Sequence, residues 1–149
     1  MHVLFDVPDF IISYDASHNW LYTVWRGTRP TSQTRDYCAR VAAHAQLTGS
    51  NKVLNDSVLD LDGWGELTKW IAQDFFHTLF CSGVAAVAWV LPHDLRARTY
   101  TNEVIARLSQ LRGDWPVVDT FADMEAAYAW LMKVPVPGQP RQGAASAPA

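Results

Sequence analysis

The chain has 149 residues, 49% of them hydrophobic, a net charge of -3 at pH 7 and two cysteines. That length and apolar content suit one globular domain with a sizeable core. The small negative charge comes without a basic cluster, which argues against a surface built to neutralise the phosphates of a nucleic acid.

Met1 to Phe10 lacks the basic start and long apolar run of a signal peptide. No apolar run reaches the roughly 18 residues that span a bilayer, so a cytoplasmic protein without a membrane span is expected. Phe10–Asp15 and Trp20–Arg26 are strand-like runs separated by the polar Ala16-Ser17-His18-Asn19, which predicts a β-hairpin. In the second run Trp20, Tyr22 and Val24 alternate with Leu21, Thr23 and Trp25, so both faces are apolar and both should be covered. After a turn at Gly27–Thr31, Ser32 is expected to cap a first helix. On it Tyr37, Cys38, Val41, Ala42 and Ala45 recur at helical spacing until Gly49 stops them.

Lys52–Asp56 reads as a short strand, followed by a loop from Ser57. From about Gly63 a second helix carries Trp64, Leu67, Ile71, Phe75 and Leu79 on one stripe. Trp64 and Trp70 stand six apart, and Phe76 and Phe80 add further apolar surface, so this helix is apolar around much of its girth. One sheet contact does not use that much surface. The surplus is expected to face a second subunit, in preference to lining a pocket for an apolar molecule. Gly83 to Pro92 brackets Val84–Leu91, a run with no charge and no polar alternation, which reads as a central parallel strand covered on both faces.

His93–Arg98 reads as a polar connection, and Thr101 as the cap of a third helix with Val104, Ile105, Leu108 and Leu111 inside, ended by Gly113. Val117–Phe121 is a further strand with Pro116 at its start. Asp123 then caps a last helix, Met124 to Met132, with Ala127, Trp130 and Leu131 inward. Beyond Lys133 the chain turns to Pro, Gly and Ala, so residues 1–133 should form the domain and 134–149 a disordered tail. Cys38 and Cys81 are expected to be reduced core thiols. Of the seven tryptophans, Trp20, Trp25, Trp89 and Trp130 take inward-looking positions, whereas Trp64, Trp70 and Trp115 are open to a surface role.

The order is therefore β-β-α-β-α-β-α-β-α: an α/β fold with a mostly parallel five-stranded sheet and an antiparallel edge strand. The hairpin, the Leu54-Asn55-Asp56 strand end, the Trp64 to Phe80 helix, the Gly83 to Pro92 strand and the closing Phe121-x-Asp123-x-x-x-Ala127-x-x-Trp130-Leu131 resemble the STAS superfamily, in particular its SpoIIAA-like branch of small bacterial proteins. The resemblance implies a regulatory binding module switched by phosphorylation of a Ser or Thr at the start of the second helix. In this chain the matching turn reads Asp60-Leu61-Asp62-Gly63-Trp64-Gly65, without a hydroxyl. Ser57, the only hydroxyl in the loop, is expected to make a loop-start hydrogen bond. The switch is therefore not carried over.

In open parallel sheets ligands favour the carboxyl ends of the strands. That edge should carry Asn55, Asp56 and Ser57, then His93, with Trp64 and Trp70 on the following helix, and these six are the candidate binding residues. No catalytic residue, metal ligand or cofactor is assigned: His44 and His77 are expected to be helix-surface or packing residues, and neither a phosphate loop nor a nucleophile elbow is present. The expected function is a non-enzymatic regulatory or protein-interaction module, with a homodimer or a regulatory protein as partner. The alternatives are a carrier or sensor of a small apolar, lipid-like molecule, and a hydrolase-like enzyme using Asp56 and His93 as an acid–base pair.

Overall fold

The computed structural model describes residues 1–111 and 113–136. They form an α/β fold around a sheet of six strands whose spatial order follows the chain. β1 (His2–Val7), β2 (Phe10–Asp15) and β3 (Trp20–Gly27) make an antiparallel meander. β4 (Lys52–Asp60), β5 (Ala86–Val90) and β6 (Val117–Phe121) then add in parallel to β3. The expected sheet of five strands thus gains β1, and two antiparallel pairs replace one. Only Pro8 and Asp9 separate β1 from β2, too short a break for the sequence to mark two strands.

Right-handed connections that always advance in one direction lay their helices on one face of the sheet. That face carries α1 (Thr31–Thr48), the helical segment between β4 and β5, and α4 (Leu95–Leu108). The opposite face carries α5 (Met124–Lys133), which packs Ala127 and Leu131 on Leu54, Ala86, Ala88 and Val90. Alanines in β5 opposite Ala127 let the helix approach closely, and the Phe121 and Trp130 rings meet beside them at 5.5 Å. Trp130 is half-buried there, a flank to the contact and not its centre. Lys52 reaches under the end of α5, where its ammonium donates to the carbonyls of Leu131 and Val134. Packing therefore continues to Val134, one residue past the expected limit of the domain. The remainder of the expected tail, from residue 137, lies outside the described residues.

The helix boundaries follow their caps. α1 starts at Thr31 behind Pro30, whose carbonyl accepts the amides of Gln33 and Thr34, so Ser32 lies inside the first turn. It ends at Gly49, at φ 68°, with the Gly49 and Ser50 amides returning to Gln46 and Ala45. α4 begins earlier than expected because Asp94 caps it, its Oδ2 accepting the Ala97 amide at 2.9 Å. Thr101 is consequently buried in mid-helix. Asp123 caps α5 as expected, through the Ala126 amide at 2.8 Å.

The expected second helix is composite: a 3-10 turn (Gly65–Leu67), α2 (Thr68–Trp70), a π-helical turn (Ile71–Phe75) and α3 (Phe76–Cys81). The wider π turn offsets the apolar stripe, so that the adjacent Phe75 and Phe76 both point inward. α4 closes over the other side with Val104, Ile105 and Leu108. Phe80 is left as the one exposed large apolar side chain of this segment, so the surplus surface is covered within the chain. Cys38 is buried as expected, whereas Cys81 is exposed at the end of α3.

Candidate functional site

At the carboxyl ends of β3, β4 and β5 the polar side chains turn inward. Thr23, Asn55 and Trp89 are paired neighbours across the three strands, on the face that α1 and α4 cover. Thr23 Oγ1 and Trp25 Nε1 donate to Asn55 Oδ1 at 2.6 and 2.7 Å. Asn55 Nδ2 and Trp89 Nε1 donate in turn to Ser57 Oγ at 3.1 and 3.0 Å. A buried amide or hydroxyl costs free energy unless such partners are supplied, and this ladder supplies them. Ser57 is 1% exposed with both acceptor positions filled, so its hydroxyl is a core strut rather than a loop-start bond or an accessible phosphoacceptor.

Trp64 sits edge-on between Trp25 and Trp89, at ring separations of 4.9 and 5.4 Å. With Asn55, Phe75 and Phe76 these indoles wall a void of about 10 Å³, room for about one water. Trp64 Nε1 is buried there without a protein partner.

Past this ladder a second buried group fixes the turn after β4. The Arg29 guanidinium, 4.7 Å above the Trp25 ring, donates to Asp60 Oδ1 at 3.0 Å and to Thr34 Oγ1 at 3.0 Å. The two charged side chains are 0% and 1% exposed. Asp60 also accepts the Asp62 and Gly63 amides, and Asp62 Oδ2 accepts the Arg29 amide at 2.9 Å. Burial pushes the Asp60 carboxyl above its ordinary value, against the pull of Arg29 and the amides. Gly63, at φ +59°, sits close against α4: a Cβ there would lie 3.0 Å from Ala97 and Tyr100, tighter than ordinary packing, on a backbone conformation that side chains rarely adopt. The turn that the family resemblance assigns to a phosphoswitch is thus clamped between Arg29 and α4.

The six candidate residues divide. Asn55, Ser57 and Trp64 converge, all inside the core. Asp56 points to the α5 face and folds back on its own strand, its Oδ1 accepting the Val58 amide at 3.0 Å. His93 is exposed, and its backbone amide donates to the Val58 carbonyl at 3.2 Å. Trp70 is half-buried, stacked on Phe75 and covered by the Arg35 guanidinium at 4.6 Å. Asp56 and His93 are therefore not joined as an acid–base pair. Among the described residues no group of His, Cys, Asp and Glu is placed to hold a metal ion, and no helix is long and apolar enough to cross a membrane.

Two features of this edge differ in their local sequence signal. Arg29 finds its acid 31 positions away, a pairing with no local signal. Leu59 and Leu61 do carry one: Leu59-Asp60-Leu61-Asp62 alternates apolar with acidic, a strand pattern that continues past Asp56. Asp60 of that run is buried, while Leu59 and Leu61 stand outward. No family model, no curated protein and no solved structure matches the chain.

Proposed function

We propose that this chain is a non-enzymatic regulatory or protein-interaction module of STAS-like type, acting through the carboxyl edge of its sheet. The observation that carries the reading is the inversion of polarity at that edge. Asn55, Ser57, Arg29 and Asp60 are committed to the interior, while Leu59, Leu61 and Leu95 are 60%, 53% and 76% exposed. The His93 amide on the Val58 carbonyl and the contact of Gly63 with Ala97 run the two leucine-bearing segments side by side. Exposed apolar side chains on a rigid frame mark surfaces that bind other proteins.

The STAS-like part of the reading is supported by the hairpin that leads into parallel crossovers and by the closing pattern. There Asp123 caps α5, Ala127 and Leu131 are fully buried, and Phe121 meets Trp130. The void walled by Trp25, Trp64 and Trp89 is water-sized, too small to hold a lipid-like molecule. Hydrolysis by Asp56 and His93 needs the two side chains to converge. A docking module in the cytoplasm needs neither a cavity nor such a pair.

Site-specific photo-cross-linking in the organism that encodes the protein tests the proposal. A photoreactive residue in place of Leu61 should join the chain to one defined protein, whereas the same residue at Leu47, an exposed leucine on α1, should not. Identical diffuse labelling from both positions would refute it, and a cross-link between two copies would make the partner a second copy of the chain.

A further inference from the structure

Cys81 and His77 lie one turn apart on the same side of α3, at the amino edge of the sheet, away from the exposed leucines. Cys81 Sγ is 3.5 Å from His77 Nε2. The other ring nitrogen, Nδ1, is 3.2 Å from the backbone carbonyl oxygen of Asp114. A carbonyl only accepts, so this bond assigns the proton to Nδ1 and leaves the Nε2 lone pair facing the thiol. The orienting carbonyl is itself anchored: the Trp115 ring lies 5.7 Å from the His77 ring, and its Nε1 donates to the Ala72 carbonyl at 3.1 Å. A nucleophile within reach of a base, with the base held by a third group, is the arrangement that activates thiols. The dipole at a helix C-terminus gives a thiolate no help, so activation here rests on His77. The i, i+4 spacing that signals the pair is legible in the sequence once Cys81 is not assigned to the core.

We propose that Cys81 is a His77-assisted reactive thiol, open to reversible modification by low-molecular-weight disulfides. His77 Nε2 takes the thiol proton, and Sγ attacks one sulfur of the disulfide. The new S–S bond forms as the old one breaks, and the departing thiolate recovers the proton from the imidazolium. The products are a mixed disulfide on Cys81 and one free small thiol. Cys38, fully buried and with its pKa raised by that burial, is an internal control in the same molecule.

The test is mass spectrometry of the full chain treated with iodoacetamide or glutathione disulfide across a pH series. Cys81 should be alkylated at neutral pH about 10-fold faster than a free cysteine in an unstructured peptide of the same local sequence. It should also form a mixed disulfide that dithiothreitol removes. His77→Gln should bring the Cys81 rate and its pH profile back to those of the peptide, while Cys38 stays unlabelled and so reports an intact fold. A wild-type rate equal to that of the peptide, or a Cys81 rate unchanged by His77→Gln, would overturn the proposal. The wild-type comparison stands even if the variant fails to fold.

Discussion

Arg29 places a full charge in the interior, and its worth depends on Asp60 being there to meet it. A buried pair contributes little over a hydrophobic substitute, but removing one partner strands the other charge, typically at 3–5 kcal/mol. Arg29→Met should therefore lower stability by about 3–5 kcal/mol in urea denaturation, and Arg29→Met with Asp60→Leu by less. The pH dependence has a definite sign. Burial already pushes the Asp60 carboxyl up, and without the guanidinium that push is less opposed. An acid whose folded pKa exceeds its unfolded value favours folding most below the unfolded value, about 3.9, and loses that advantage as pH rises through the folded value. The gap between wild type and Arg29→Met should thus narrow from pH 8 to pH 5, and a constant gap would contradict the account. No reading of the sequence finds this pair, because burial and a partner far along the chain define it.

Elements whose boundaries are set by their own residues were legible. The β2–β3 hairpin, the Gly49 stop, the Asp123 cap and the central strand all depend on groups within a few positions of one another. Thr101 and Asp94 are both residue types that cap helices, so local chemistry does not distinguish them; in the fold Asp94 takes the cap of α4. The π turn was not legible, since packing against both the sheet and α4 selects it. α5 illustrates how one residue from elsewhere completes an element. Burial lowers the pKa of Lys52, a cost that its contacts to the Leu131 and Val134 carbonyls offset. The ammonium is at once a C-terminal cap and a tether to β4. Lys52→Met keeps the apolar stem and removes both bonds, so it should cost about 2 kcal/mol. Amide exchange should accelerate in Ala127–Leu131 ahead of the β3–β5 amides; uniform exchange, or unchanged stability, would show that α5 is held by its apolar face alone.

Over the whole molecule, the connection order allowed a parallel sheet to be read, but not which surface is left free. Apolar periodicity counts how much a helix must bury and says nothing of what buries it. That is why the apolar surplus of the helical segment from Gly65 to Cys81 reads as an interface in the sequence, while in the fold α4 packs against it. Leu59 and Leu61 stand exposed where β4 overruns β5, at residues whose sequence reads as a loop. Native mass spectrometry of the chain isolated from its own organism, beside Leu59→Asp/Leu61→Asp, tests this most directly. The account predicts a complex with a second protein chain that the double substitution abolishes, while the circular dichroism spectrum stays that of the folded domain. A small-molecule increment lost on denaturation and indifferent to the substitutions would contradict it.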